Sequence, residues 1–278
     1  MPTMFVTCQI CLYSSDSFSL IHRLKASSPI PIIAINSLIA ACGRGNRPDL
    51  ALALLNEMRS NFGLRPDERS YRSAVIACNV AQHKVQGLQS GRLDANESDF
   101  EWIDFSVEWW ECALALFRRM REETLIPDKK TYSSVISACE AAGEWQRAIG
   151  VLEIMIEEAK DGDDFGSLNL YCFNSAISAC EKGSAWVEAL EIYERMIVIG
   201  GPISPNFITL SSMVLALEKA GQKELAQAKF EEGIRKRIVK PWRWTRNQAG
   251  ECIYALVSHF LYICNQKIIF LPFFCWKK

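Results

Sequence analysis

SLIAAC at residues 37–42, SAVIAC at 73–78, SSVISAC at 133–139 and NSAISAC at 174–180 are near copies of one apolar run that closes on Ala-Cys. Each is followed by a second amphipathic stretch ending near a methionine: Met58, Met120, Met155 or Met196. Self-similarity along a chain means that it stacks supersecondary units, each burying its apolar face against its neighbours, instead of closing around one catalytic core. The fold class this predicts is all-α, a solenoid of stacked helix-turn-helix hairpins.

The four closing cysteines lie 36, 61 and 41 residues apart. The unit is therefore about 35 residues long, with one large and one small insertion. Trp145 and Trp186 each lie six residues beyond the cysteine of their unit, whereas Trp110 begins the matching run WECALALFRRM. Roughly 26 extra residues, near 82–107, thus separate the two helices of the second unit. Asp94, Glu97, Asp99, Glu101 and Asp104 against Lys84 and Arg92 make that segment acidic, and it reads as a mobile loop. A fifth, weaker unit follows in LSSMVLALEKAG (210–221) and ELAQAKFEEGI (224–234), where Leu217 takes the cysteine place.

Both halves of each unit carry apolar residues three and four apart, the helical period, and Gly143, Gly183 and Gly221 mark the turns between them. In the trailing helix Ala51, Ala113, Ala148, Ala189 and Ala226 stand in register, followed by Leu54, Leu116, Val151, Ile192 and, less apolar, Lys229. Small residues let helices approach; large ones fill the seam between hairpins. The methionines in the same register are adaptable fillers, not cofactor ligands.

Eleven cysteines would suggest disulfides in an extracellular domain, yet four share one core position where a small buried hydrophobe is wanted. Free thiols in a reducing compartment are expected. Cys8 and Cys11 have no second pair or nearby His, and DGDDFG at 161–166 puts Phe165 where a calcium loop needs an oxygen. His22, His83 and His259 lie far apart, with no HExxH, phosphate loop or nucleophile elbow in the chain. Neither an enzyme nor a cofactor is expected.

A net charge of −1 removes bulk attraction to nucleic acid or an anionic membrane, although a neutral total can conceal polarised faces. One such face gathers Arg235, Lys236, Arg237, Lys240, Arg243 and Arg246 around Trp242 and Trp244. Cations for phosphates and indoles for stacking make it a candidate backbone-binding patch; a solvated helix end is the equal alternative. Residues 1–31 are Ser-rich, with Asp16 as the only acid and Arg23 and Lys25 as bases, and weakly resemble an organellar transit segment. Residues 243–278 form an apolar tail whose runs are broken by Asn265, Gln266 and Lys267, too short to span a membrane and suited to a capping helix.

The order Tyr-x-x-x-Ile-x-Ala-Cys, Gly, Ala-Leu-x-Leu/Ile-x-x-x-Met, then Pro-Asp or Pro-Asn closely resembles the pentatricopeptide repeat. The joints are Pro66-Asp67, Pro127-Asp128 and Pro205-Asn206, with Leu168-Asn169 once in their place. The resemblance covers about residues 32–242, between the N-terminal extension and the tail; the Trp-Leu-Gly-Tyr pattern of tetratricopeptide repeats is absent.

This resemblance implies a right-handed α-solenoid that binds single-stranded RNA, one base per hairpin, each base read by a leading-helix residue and the closing residue of the repeat. Carried over, the pairs are Asn36 with Asp67, Arg72 with Asp128, Ser133 with Asn169, Asn174 with Asn206, and Ser211 with Pro241 or Trp242. The family code reads the first as uracil, the third as adenine and the fourth as a pyrimidine, cytosine favoured; it gives Arg72 no letter. Stacking falls to the residue three earlier: Ile33, Arg69, Lys130, Tyr171 and Ile208. For Asn36 and Asn174 helix capping is the competing role.

Three legible bases at about 1–3 kcal/mol each supply roughly 3–9 kcal/mol, millimolar to submicromolar affinity at best. A protein partner or a longer array is therefore expected. The implied role is an adaptor in organellar RNA metabolism, in chloroplast or mitochondrion; a cytoplasmic location and a peptide-binding protein scaffold are the alternatives.

Overall fold

The computed structural model describes residues 31–91, 106–161, 168–236, 238, 245–246 and 252–253. Ten α-helices in these residues pair into five hairpins. Helices α1 (Ile32–Arg44) and α2 (Pro48–Ser60) form the first, and α3 (Glu68–Gln89) and α4 (Trp109–Glu122) the second. Helices α5 (Lys129–Ala142) and α6 (Trp145–Asp161) form the third, α7 (Leu170–Lys182) and α8 (Trp186–Ile199) the fourth, and α9 (Phe207–Lys219) and α10 (Lys223–Arg235) the fifth.

Each leading helix packs on the next leading helix, and each trailing helix lies against its own leading helix and the one that follows. Burial is thus between sequence neighbours, as a repeat architecture requires. The register read from the sequence is the packing register. Ala51, Ala113, Ala148, Ala189 and Ala226 are buried, as are Leu54, Leu116, Val151, Ile192 and the methionines Met58, Met120, Met155 and Met196. Full burial of a side chain of the Leu or Met class is worth about 1.5–3 kcal/mol, so each seam is held chiefly by these rows. Lys229 tolerates its seam position because its ammonium reaches Glu194 (2.9 Å). Arg59 with Glu123 (2.6 Å) and Arg121 with Glu158 (3.2 Å) link successive trailing helices, as does the Arg195–Glu153 pair. Exposed pairs of this kind add about 0–1 kcal/mol each and serve register more than stability.

Cys42, Cys78, Cys139 and Cys180 are buried free thiols, and Leu217 fills the equivalent place in the fifth hairpin. Burial pushes the thiols of Cys139 and Cys180 up to about 12. They are packing groups, not nucleophiles.

Two local readings differ from the structure. The expected loop near 82–107 begins as helix: α3 runs on to Gln89 because Ala81 and Val85 continue the buried stripe. Gln82 is buried there, and its Oε1 accepts from the backbone N–H of Trp110 (3.2 Å) at the start of α4. The acidic residues 94–104 lie outside the described residues. Of the three turn glycines, Gly143 and Gly221 adopt positive φ, whereas Gly183 has φ −85° and Ser184 takes the left-handed position. Gly183 is needed for space, since a Cβ there would stand 2.1 Å from Cδ1 of Trp145 in the preceding repeat.

Among the described residues no helix is long and apolar enough to cross a membrane. Val239–Lys278 form a separate compact unit. Within it Thr245–Arg246 (β1) and Cys252–Ile253 (β2) pair antiparallel, so the described parts of the tail are extended where a capping helix was expected.

Candidate nucleic-acid interface

The closing residue of each repeat begins the next hairpin. Asp67, Asp128, Asn169 and Asn206 are the N-caps of α3, α5, α7 and α9. The side chain of each accepts a backbone N–H that would otherwise be orphaned, and the backbone N–H groups of Asp67 and Asn206 donate in return to the hydroxyls of Ser70 and Thr209. Capping, the competing role for Asn36 and Asn174, therefore falls on the other member of each pair. Asn36 and Asn174 sit inside α1 and α7 and reach across to the start of the next leading helix, Asn36 to the cap Asp67 itself and Asn174 to Thr209.

At the first junction Asp67 Oδ1 accepts from the backbone N–H of Ser70 (2.9 Å) and from Asn36 Nδ2 (3.0 Å). The Ser70 hydroxyl donates to Asn36 Oδ1 (2.6 Å). Burial alone would raise the Asp67 carboxyl, but hydrogen bonds from Ser70 and Asn36 outweigh it and hold it below the usual carboxylate range. Asn36 is only 8% exposed, and what this pair leaves uncommitted is Asp67 Oδ2 and the remaining amide proton of Asn36.

At the second junction Asp128 divides its oxygens. Oδ1 accepts from the Thr131 backbone N–H and from its hydroxyl (both 2.8 Å), and Oδ2 accepts from Arg72 Nη1 (2.6 Å). Desolvation raises the Asp128 carboxyl, and the bonds from Arg72 and Thr131 together bring it below its ordinary value.

At the third, Asn169 Oδ1 accepts from the Tyr171 backbone N–H (3.0 Å) and the Ser133 hydroxyl donates to the Lys130 carbonyl (3.0 Å). Ser133 and Asn169 line one cavity of about 290 Å³ together with Asn79, Ser134 and Tyr171. With those bonds made, Ser133 Oγ is left as an acceptor and Asn169 Nδ2 as a donor.

At the fourth, Asn206 Oδ1 accepts from the Thr209 backbone N–H (3.0 Å) and the Thr209 hydroxyl donates to Asn174 Oδ1 (2.6 Å). The groups left uncommitted are both amide donors. In the fifth repeat the Ser211 hydroxyl donates to the Ile208 carbonyl (2.9 Å), and Pro241 and Trp242 lie outside the described residues.

The stacking candidates form an exposed row: Ile33 (68%), Tyr171 (52%) and Ile208 (58%), with Arg69 and Lys130 also exposed. Tyr171 is held from behind. Ser137 Oγ lies 3.3 Å from its hydroxyl and 2.7 Å from His83 Nε2. Desolvation lowers the His83 pKa, against the opposing pull of Glu140.

In the candidate backbone patch Arg235 is exposed, while Lys236 is paired with Glu232 (2.6 Å). Arg237, Lys240 and Arg243 lie outside the described residues. Among the described residues no group of three His, Cys, Asp or Glu side chains is placed to hold a metal.

Sequence reasoning missed Ser70, Thr209, His83 and Ser137. Asp-x-x-Ser at 67–70 and Asn-x-x-Thr at 206–209 have the spacing of a reciprocal cap and could have revealed the first two. His83 lies in the stretch whose composition reads as a loop and which the structure makes the end of α3.

A family model described as PPR repeat matches residues 33–61, 130–158 and 171–200. The chain carries pentatricopeptide repeats. The matched segments coincide with the first, third and fourth hairpins, and the second and fifth share their packing. Among solved structures, the nuclear proteinaceous RNase P 2 of Arabidopsis thaliana aligns with TM-score 0.57 at 14% identity, over 79% of this chain and 45% of that one. The PPR domain of the A. thaliana protein-only RNase P 1, solved in complex with tRNA, aligns with TM-score 0.51 at 14% identity, over 81% and 96%. The maize pentatricopeptide repeat protein PPR10 aligns with TM-score 0.44 at 21% identity, over 80% and 34%. The first two likenesses establish a shared all-α helical-repeat fold. The present chain spans less than half the length of RNase P 2.

Proposed function

We propose that this pentatricopeptide-repeat chain is an RNA-binding adaptor that reads single-stranded RNA one base per repeat. The observation that carries the reading is the recurrence at successive junctions: a side chain inside one leading helix meets the polar cap of the next, by direct contact at Asn36–Asp67 and Arg72–Asp128, through Thr209 at Asn174–Asn206, and across a shared cavity at Ser133–Asn169. An exposed row one turn earlier stands ready to stack bases.

The outward groups support the letters. At the third repeat an acceptor at Ser133 beside a donor at Asn169 complements adenine, which presents an amino donor next to a ring-nitrogen acceptor. At the fourth, two amide donors complement the N3 and O2 acceptors of cytosine. At the first, one donor and one acceptor complement the carbonyl and N3–H of uracil, with Asp67 carrying most of the exposed surface.

The tRNA in complex with the RNase P 1 PPR domain supports RNA as the class of ligand. Action in a chloroplast or mitochondrion, presenting a transcript to a partner that processes, protects or translates it, rests on the composition of residues 1–31 and on the limited affinity of so few letters.

The test is binding of short RNAs of form U-N-A-Y-N, read 5′ to 3′, against scrambled controls. Replacing Ser133→Asn and Asn169→Asp together recreates the first repeat's pair in the third and is expected to move the third letter from adenine to uracil. Equal retention of scrambled RNA, or an unmoved third letter, refutes the reading.

A further inference from the structure

We propose that the second repeat, to which the family code gives no letter, reads guanine through Arg72 held by Asp128. The inference rests on the one-base-per-repeat reading above. Arg72 occupies on α3 the place that Asn36, Ser133 and Asn174 occupy on their helices, and its Nη1 donates to Asp128 Oδ2 (2.6 Å). Asp128 is itself fixed by the backbone and hydroxyl of Thr131. A guanidinium anchored this way is a planar fork with a set orientation. Its Nε–H and second Nη edge has no partner among the described residues.

Two parallel donors require a base edge with two adjacent acceptors. Guanine offers O6 and N7; adenine offers N7 beside an amino donor that would meet the fork donor to donor; uracil offers O4 without a neighbouring acceptor on that edge. Cytosine has N3 and O2, which suit the two separate amide donors of the fourth repeat; the fixed fork of Arg72 instead matches the O6 and N7 edge of guanine, whose double ring covers more of the cationic neighbours on either side. Those neighbours are Arg69 and Lys130, the exposed stacking residues of the second and third repeats, and a cation is drawn to an extended π-face. Arg72 therefore selects by its fork, and its two flanking cations favour the larger ring.

The experiment uses the full chain and labelled RNAs that differ only at the second letter, U-N-A-C within constant flanks. Guanine is expected to bind roughly tenfold more tightly than the other three letters, about 1.4 kcal/mol. Arg72→Lys keeps the charge and a partner for Asp128 but removes the fork. It is expected to level the second letter while uracil at the first and adenine at the third remain preferred, which also shows that the variant is folded. A flat second letter in the unaltered chain, a preference for cytosine there, or a guanine preference that survives Arg72→Lys overturns the assignment while the first and third letters still stand. Loss of discrimination at every letter in the unaltered chain overturns the base-per-repeat reading together with it.

Discussion

Asn169→Asp changes one outward-facing atom and little else. Asn169 caps α7 through Oδ1, which accepts from the Tyr171 backbone N–H (3.0 Å), and Asp is as good a cap as Asn. The added charge lies at the positive end of α7, which favours it by about 0.3–1 kcal/mol at neutral pH. The fold is thus expected to be unchanged or slightly more stable. What changes is the far side of the side chain, from an N–H donor to a second carboxylate oxygen. Ser133 Oγ already spends its proton on the Lys130 carbonyl, so the pair becomes acceptor beside acceptor. Only guanine presents two adjacent donors, N1–H and the 2-amino group, and it becomes the expected third letter. A bidentate pair discriminates by about 1–3 kcal/mol, so adenine is expected to lose about 5- to 150-fold and guanine to gain comparably. Binding is measured by titrating RNAs that differ only at that letter, with thermal melting of the same preparation as the control. Unchanged adenine preference in a protein of unchanged melting temperature would show that Asn169 caps a helix and touches no base.

Three further outcomes follow from the packing and the titrating groups. Gly183→Ala, at an ordinary φ but 2.1 Å from the Trp145 ring, is expected to cost about 1–3 kcal/mol in urea unfolding; Gly143→Ala, with open space but φ 80°, costs about 1 kcal/mol through the backbone alone. Burial pushes Cys139, Cys172 and Cys180 up to about 12, so the folded thiols stay protonated where unfolded ones ionise. Stability is then intact below about pH 8.5 and falls from there towards pH 12, by up to about 1.4 kcal/mol per pH unit for each thiol, and replacing the three by Ala should flatten that slope in denaturant titrations at alkaline pH. His83→Ala removes the support behind Ser137 and Tyr171 and is expected to weaken RNA binding a few-fold without moving any letter; a shifted letter would mean that His83 itself contacts a base.

The hairpins were legible because periodicity and register are statements about neighbours. Ala113 or Met120 need only their own helix and the next to be buried, and the sequence repeats both partners. The extended α3 was equally legible in Ala81 and Val85, but the insertion drew the boundary too early. Gly183 was not legible as a packing residue, since the atom that forbids a Cβ belongs to Trp145, in another repeat. The candidate site residues follow from pairing positions a repeat apart. The side chains that fix their orientation, Ser70 and Thr209, were hidden because a serine or threonine three residues into a helix looks like any surface polar group until its cap is known.

The junction geometry also constrains which side chains can encode a letter. A closing residue must offer one oxygen to the N-terminus of the next leading helix, because a buried or half-buried N–H without a partner costs about 1–3 kcal/mol. That requirement admits Asp, Asn, Ser and Thr and excludes residues without a short acceptor. Once the near oxygen is committed, as in Asp67, Asp128, Asn169 and Asn206, only the far atom is free to differ, and it can be a carboxylate oxygen or an amide nitrogen. One binary choice between acceptor and donor then remains at the cap, and a second at the leading-helix residue facing it. Two such choices would be enough to separate four bases, and would leave undisturbed the helix start that both repeats share. On the proposed reading, folding and base recognition use opposite sides of the same side chain, so letters could change along the array while the packing register does not.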